Sequence, residues 1–343
     1  MPFVEKILSS GTLSIVGLEK NTGKTECLNY ILRRLSSYAL KVGVTSIGVD
    51  GEKVDQVTQS SKPEIFLGEG ILFSTSEKHY RERQIHSELL NIDQAQTSLG
   101  RICTARALGY GKVLLSGPSQ TASLISWIRM LKKEYAVDLC IIDGALSRLS
   151  LASPAVSESM ILATGAALSS NIPELVNKTH FITELINIPE TGIALKIEDN
   201  SPEKGIWQIG KEGNFEVPLF ESAFIHGESQ PEQIKDNNDI KALFIAGALT
   251  DRFLKMISSE KRYSEAEIIV KDFTRIFVTP ATYRNFIKKG GIIRVLKRSN
   301  LIAVCVNPTA PNGVILNSDK LCRALSEKLN LPVYDIIKNG YEV

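Results

Sequence analysis

Residues 17–25 read GLEKNTGKT, and what flanks them decides the fold. The run GTLSIV at 11–16 has the length and apolar character of a short buried strand, and Cys27, Leu28, Ile31, Leu32 and Leu35 recur at helical spacing behind the turn. Strand, glycine-rich turn and helix in that order aim successive backbone N–H groups and the positive end of a helix at one concavity, which a phosphate fits. Gly23 lets the backbone approach the phosphates, Lys24 reaches the β- and γ-oxygens as a flexible point charge, and the Thr25 hydroxyl is placed to ligate Mg²⁺. The expected nucleotide contacts are Gly17, Glu19, Lys20, Asn21, Thr22, Gly23, Lys24, Thr25 and Glu26, with ATP ahead of GTP as the ligand. An ordinary glycine turn followed by a chance GKT is the alternative.

Working outward, a second apolar run at 42–49 ends in Asp50-Gly51-Glu52, and further strand-like runs occupy 71–73, 113–115, 139–142 and 160–163. Helical patterns separate several of them. The clearest is 119–134, with a Ser/Thr-rich start, Leu124, Ile125, Ile128 and Leu131 on one face, and a basic end. This alternation predicts an α/β fold, a P-loop domain with a mainly parallel sheet flanked by helices. Ligands bind such sheets at the carboxyl ends of the strands, where Gly17, Asp50, Gly117 and Asp143 all fall. Asp143 closes LCIID, where a carboxylate holds Mg²⁺ directly or through water, or else caps the next turn. Asp50 ends its strand in the same way, and Gly117-Pro118-Ser119 is either a γ-phosphate sensor or a plain strand-to-helix turn.

The 343 residues suffice for about two domains. Periodicity weakens over 189–240, where IWQIGKEGNFEVPL (206–219) reads as a hairpin turning at Lys211-Glu212-Gly213 and GESQPEQIKDNND as a polar connection. That divides a P-loop domain, 1–188, from a smaller α/β domain, 241–343, with strand-like runs at 242–246, 267–270, 275–278, 292–296, 301–306 and 332–334. In that second domain Asn307-Pro308-Thr309-Ala310-Pro311-Asn312-Gly313 follows an apolar run, as a binding loop or a proline-stiffened connection would. GALSR (144–148) and GALTDR (247–252) recur loosely, a hint of duplication short enough to be chance.

Composition narrows the function. The chain is 43% hydrophobic and 23% charged, as folded proteins are, and its 40 basic against 38 acidic residues leave a net charge of +2 without a basic patch. Nucleic acid and membrane partners are disfavoured. The start MPFVEKILSS lacks the pattern of a signal peptide and no run approaches a membrane span, so a cytoplasmic protein is expected. Cys27, Cys103, Cys140, Cys305 and Cys322 form no paired motif and read as reduced, mostly buried thiols, and His79, His86, His180 and His226 have no metal-ligand spacing. The charged stretch EKHYRERQIH (77–86) reads as a solvated helix or docking surface.

Five residues, not four, separate Gly17 from Gly23, and this G-x(5)-G-K-T spacing resembles the loop of dethiobiotin synthetase and its relatives, a P-loop class of dimeric switches, ligases and cofactor-assembly ATPases. That resemblance implies a second loop lysine acting on the phosphates, for which Lys20 matches, and a metal-contacting acid at the second strand end, for which Asp50 matches. The implied catalytic set is Lys20, Lys24 and Asp143, the implied metal set is Thr25, Asp50 and Asp143, and a homodimer is allowed. GLEKNTGKTE, SIGVDGE, KPEIFLGEGILFST (62–75), LLSGPS and IIDGALSRLSLASPAVSESMILATGA (141–166) together resemble the P-loop subunits of lysine 5,6-aminomutase reactivases. The resemblance covers mainly the first half. It implies ATP-dependent chaperoning, with a second ATPase subunit as partner, in which damaged cobalamin leaves an adenosylcobalamin-dependent aminomutase and intact coenzyme rebinds. Two rivals stand beside it: a ligase of the dethiobiotin synthetase type that activates a small carboxylate, and a nucleotide sensor of gene expression, which the lack of a helix-turn-helix pattern disfavours.

Overall fold

The computed structural model describes residues 3–47, 64–145, 153–195, 202–210, 213–220, 240–260, 263 and 266–340. In chain order the elements are α1 (Phe3–Leu8), β1 (Thr12–Gly17), α2 (Lys24–Leu35), β2 (Val42–Ser46), β3 (Ile65–Leu67), β4 (Leu72–Ser76), α3 (Glu77–Arg81), β5 (Ser87–Thr97), β6 (Gly100–Ala107), β7 (Gly111–Val113), α4 (Thr121–Tyr135), β8 (Leu139–Ala145), β9 (Ser159–Gly165) and α5 (Ile172–Ile186). They continue with β10 (Ile206–Ile209), β11 (Phe215–Phe220), β12 (Ala242–Ile245), β13 (Leu249–Thr250), α6 (Asp251–Ser259), β14 (Glu267–Val270), β15 (Ile276–Phe277), α7 (Pro280–Lys288), β16 (Ile292–Val295), β17 (Leu301–Asn307), α8 (Ser318–Leu329), β18 (Val333–Asp335) and α9 (Ile336–Gly340). The chain divides into two units, one of residues 1–180 with 300–343, the other of residues 181–299.

The first unit is built on a nine-stranded sheet in the order β18-β17-β9-β1-β8-β2-β4-β6-β5. Neighbours from β18 to β4 run parallel, while β6 and β5 are added antiparallel, so the α/β sheet is mixed and mainly parallel. Helices cover both faces. Leu139 and Ile141 of β8 join a core with Cys27, Leu28, Ile31, Leu32 and Leu35 of α2. The intervening Cys140 and Ile142 join another with Leu124, Trp127, Ile128 and Leu131 of α4. Each such side chain stabilises the fold by roughly 1.5–3 kcal/mol, and this two-sided burial makes the parallel strands near-continuous apolar runs.

Three expectations need correction. Residues 300–343 belong to the first unit and not to a second domain running from 241 to the end. β17 pairs in parallel with β9, and its LIAVCV run is buried on both faces, which suits the middle of a sheet and not a peripheral domain. The expected helix over 77–86 stops at Arg81 with His79 only 2% exposed, and a long antiparallel hairpin, β5–β6, follows it. The expected strand at 113–115 lies two residues earlier: β7 covers Gly111–Val113 and pairs with β3.

The second unit carries a five-stranded sheet in the order β11-β10-β12-β14-β16, in which β12, β14 and β16 are parallel. The expected hairpin is present as β10 and β11, its turn closed by a Gly213 N–H that donates to the Gly210 carbonyl at 3.0 Å. Gly213 adopts φ 79°, which glycine takes without strain. Phe244 and Ile269 anchor its core. Among the described residues no helix is long and apolar enough to cross a membrane.

Candidate functional site

β1 lies between β8 and β9, with Gly17 opposite Ala145 on one side and Ala163 on the other. The loop that leaves it is fastened at once, because the Leu18 N–H donates to the Ala163 carbonyl at 2.9 Å. Fully buried Thr22 closes the loop on itself through its hydroxyl, which donates to the Glu19 carbonyl at 2.8 Å. Asn21 (φ 60°) and Gly23 (φ 90°) are both left-handed, and Thr22 between them is not. That alternation turns successive N–H groups toward one concave side, the backbone arrangement of an anion nest. Gly23 also begins α2: its carbonyl accepts the Cys27 N–H at 2.9 Å, and no side chain caps the first turn. The first-turn N–H groups and the positive end of the helix therefore face the same concavity.

Gly17 is required by packing. A Cβ there would stand 2.6 Å from Thr22 Oγ1 and 2.7 Å from Lys24 Cγ and Cδ. The Lys24 stem thus lies across the loop, with Nζ 3.5 Å from the Glu19 carbonyl. Lys24, Thr25 and Glu26 are half-buried, and Glu19 and Lys20 are exposed at the loop's outer side.

Asp143 sits in register with Ile15 of β1 and Ser46 of β2, two residues before β8 ends, and is half-buried. Its negative charge reaches the first turn of α2. There the Cys27 thiol is pushed well above its ordinary value, first by the Cys305 thiol 3.6 Å away, then by burial, and also by Asp143. Asp143 therefore stands on the strand beside β1, the strand whose loop leads into Lys24 and Thr25 at the start of α2. Asp50 lies outside the described residues, as does most of the GALSR stretch.

Gly117, the candidate sensor, is brought to the end of β2: a Cβ there would overlap the Ser46 carbonyl oxygen and Thr45 Oγ1. A buried network holds it. Ser74 Oγ donates to the Ser116 carbonyl at 2.7 Å and shares a hydrogen with Thr45 Oγ1 at 2.5 Å, and His79 Nδ1 lies 3.0 Å from Ser116 Oγ. His79 is therefore a buried structural partner of this segment, which a charged neighbourhood of EKHYR in the sequence disguised.

Sequence reading also missed the reach of Asn307. At the carboxyl end of β17, its Nδ2 donates to the Asn21 carbonyl at 3.3 Å. The sequence marks the place with an Asn-Pro step after an apolar run, but local pattern alone does not tie that step to the first unit. Comparisons with models of protein families, with curated proteins and with solved structures find no match for this chain.

Proposed function

We propose that this chain is a P-loop NTPase that binds ATP with Mg²⁺ between β1, α2 and β8. The observation that carries the reading is the placing of left-handed Asn21 and Gly23 on either side of Thr22, which is not left-handed, directly before Lys24, with Asp143 on the adjacent strand. The β- and γ-phosphates would accept from the loop amides, and Lys24, joined by exposed Lys20, would offset their charge. Thr25 Oγ1 and the Asp143 carboxylate are the hard oxygen ligands that Mg²⁺ takes when phosphates supply the rest, and Asp50 would add a third.

The use of that nucleotide, on the sequence resemblance, is ATP-dependent reactivation of an adenosylcobalamin-dependent aminomutase, in concert with a second ATPase subunit. ATP and Mg²⁺ would favour one arrangement of the loops around Gly117 and Asp143, hydrolysis to ADP and phosphate would release it, and the two states would grip the mutase differently. Calorimetric titration with MgATP tests the first part. Lys24→Ala should weaken binding by about tenfold to a hundredfold, the loss of charge-assisted hydrogen bonds to phosphate. No MgATP binding by the native chain, or equal binding by the variant, refutes nucleotide binding. For the second part, a mutase inactivated by damaged cobalamin should regain turnover with the native chain, its partner and ATP, and not with Lys24→Ala. Equal recovery with both would refute the role.

A further inference from the structure

Asn307 is wedged between two glycines. On the strand side, a Cβ at Gly165 would overlap the Asn307 carbonyl oxygen, and on the loop side a Cβ at Gly23 would stand 2.9 Å from Asn307 Cβ. The backbone around it is fixed: Asn307 pairs with Gly165 of β9, and its carbonyl accepts the Ala166 N–H at 2.9 Å. Its amide is fixed as well. The Thr309 N–H donates to Oδ1 at 3.0 Å, which assigns Nδ2 to the other side, toward the Asn21 carbonyl. Asn21 and Gly23 are the two left-handed residues of the loop, and Asn307 bears on both.

A non-glycine residue at φ 60° is strained, and such strain persists only where the surroundings hold it. β9 fastens the loop's beginning at Leu18, and α2 its end at Cys27. The Asn307 amide supplies a contact to the middle, from a strand 286 residues further along the chain. We infer that Asn307 is a positioning residue for the phosphate loop: it holds Asn21 and Gly23 in the alternating conformation that aims their N–H groups at an anion. This rests on the nucleotide reading above, and it makes the shape of the phosphate loop the joint product of the first 25 residues and of β17.

The test uses the full chain and Asn307→Ala, with two ligands and one measurement that needs neither. MgATP and inorganic tripolyphosphate, which has no base or ribose, should both bind the variant about three- to tenfold more weakly, by the same factor, the worth of one hydrogen bond. In the absence of ligand, amide hydrogen exchange should quicken over residues 18–24 and stay at native rates in the cores of β1, β8 and β9. Loss of MgATP affinity with unchanged tripolyphosphate affinity would overturn the inference, because Asn307 would then touch the nucleoside. Unchanged exchange over 18–24, or acceleration spread evenly through the unit, would overturn it too. A native chain that binds neither ligand refutes the nucleotide reading, while the exchange comparison still decides whether Asn307 holds the loop.

Discussion

Gly117→Ala perturbs the sheet edge at a point where the added methyl has nowhere to go. The new Cβ would overlap the Ser46 carbonyl oxygen and Thr45 Oγ1, and it would stand 3.1 Å from the Ser46 carbonyl carbon. Ser46 ends a strand held on both sides, by β8 and β4, so that backbone cannot retreat cheaply. The 114–118 segment must withdraw instead. Withdrawal breaks the Ser116 N–H bond to the Ser74 carbonyl (3.2 Å) and the Ser74 hydroxyl bond to the Ser116 carbonyl (2.7 Å). Two buried hydrogen bonds at about 1 kcal/mol each, with about 1 kcal/mol of residual overpacking, give roughly 3 kcal/mol of destabilisation. For a unit of this size that lowers Tm by about 6–12 °C in a calorimetric scan. Gly109→Ala is the control: a Cβ there meets nothing within 4 Å, and Gly109 is not among the positive-φ glycines, so its Tm should equal or slightly exceed the native value. A Gly117→Ala variant melting within 1 °C (about 0.3 kcal/mol) of native would refute the close approach.

The same network and the sheet core yield two more tests. Ser74→Ala leaves Thr45 and the Ser116 carbonyl each one partner short in a fully buried setting, so the urea midpoint should fall by the equivalent of about 1–3 kcal/mol with the m-value unchanged. An unchanged midpoint would show the network to be idle. Burial pushes the Cys140 thiol up to about 12, partly countered by Lys132. The folded chain keeps that proton where the unfolded chain loses it, so stability from this group is present below about pH 9 and is lost, by roughly 4 kcal/mol, as pH rises to about 12. Cys140→Ala lacks this component, and the stability difference between native and variant should shrink in urea melts between pH 8 and pH 11. A constant difference would refute it.

What could be read from the sequence follows how each element is buried. β1, β8, β9 and β12 are interior strands whose apolar runs announce themselves, and α4 shows its stripe because only one face meets the sheet. β5 is an edge strand, half-buried or exposed along its whole length, so it carries neither an apolar run nor a period of two, and it is invisible in NIDQAQT. The glycine-rich loop was legible because its residues are contiguous. Asn307 was not, for a different reason: what makes it part of the loop is a strand order, β17 beside β9 beside β1, and strand order is a property of the sheet that no local pattern encodes. The chain does mark the place, however, with glycines at 23 and 165 whose missing side chains make room for one distant asparagine. A glycine that local turn geometry does not demand, as at 165, is thus a sequence record of a close approach from elsewhere. Gly165→Ala would force β9 and the end of β17 apart, and should loosen the Asn21 contact together with the strand pairing, whereas Asn307→Ala removes the side-chain bonds to Asn21 and Thr309 and leaves the strand pairing in place.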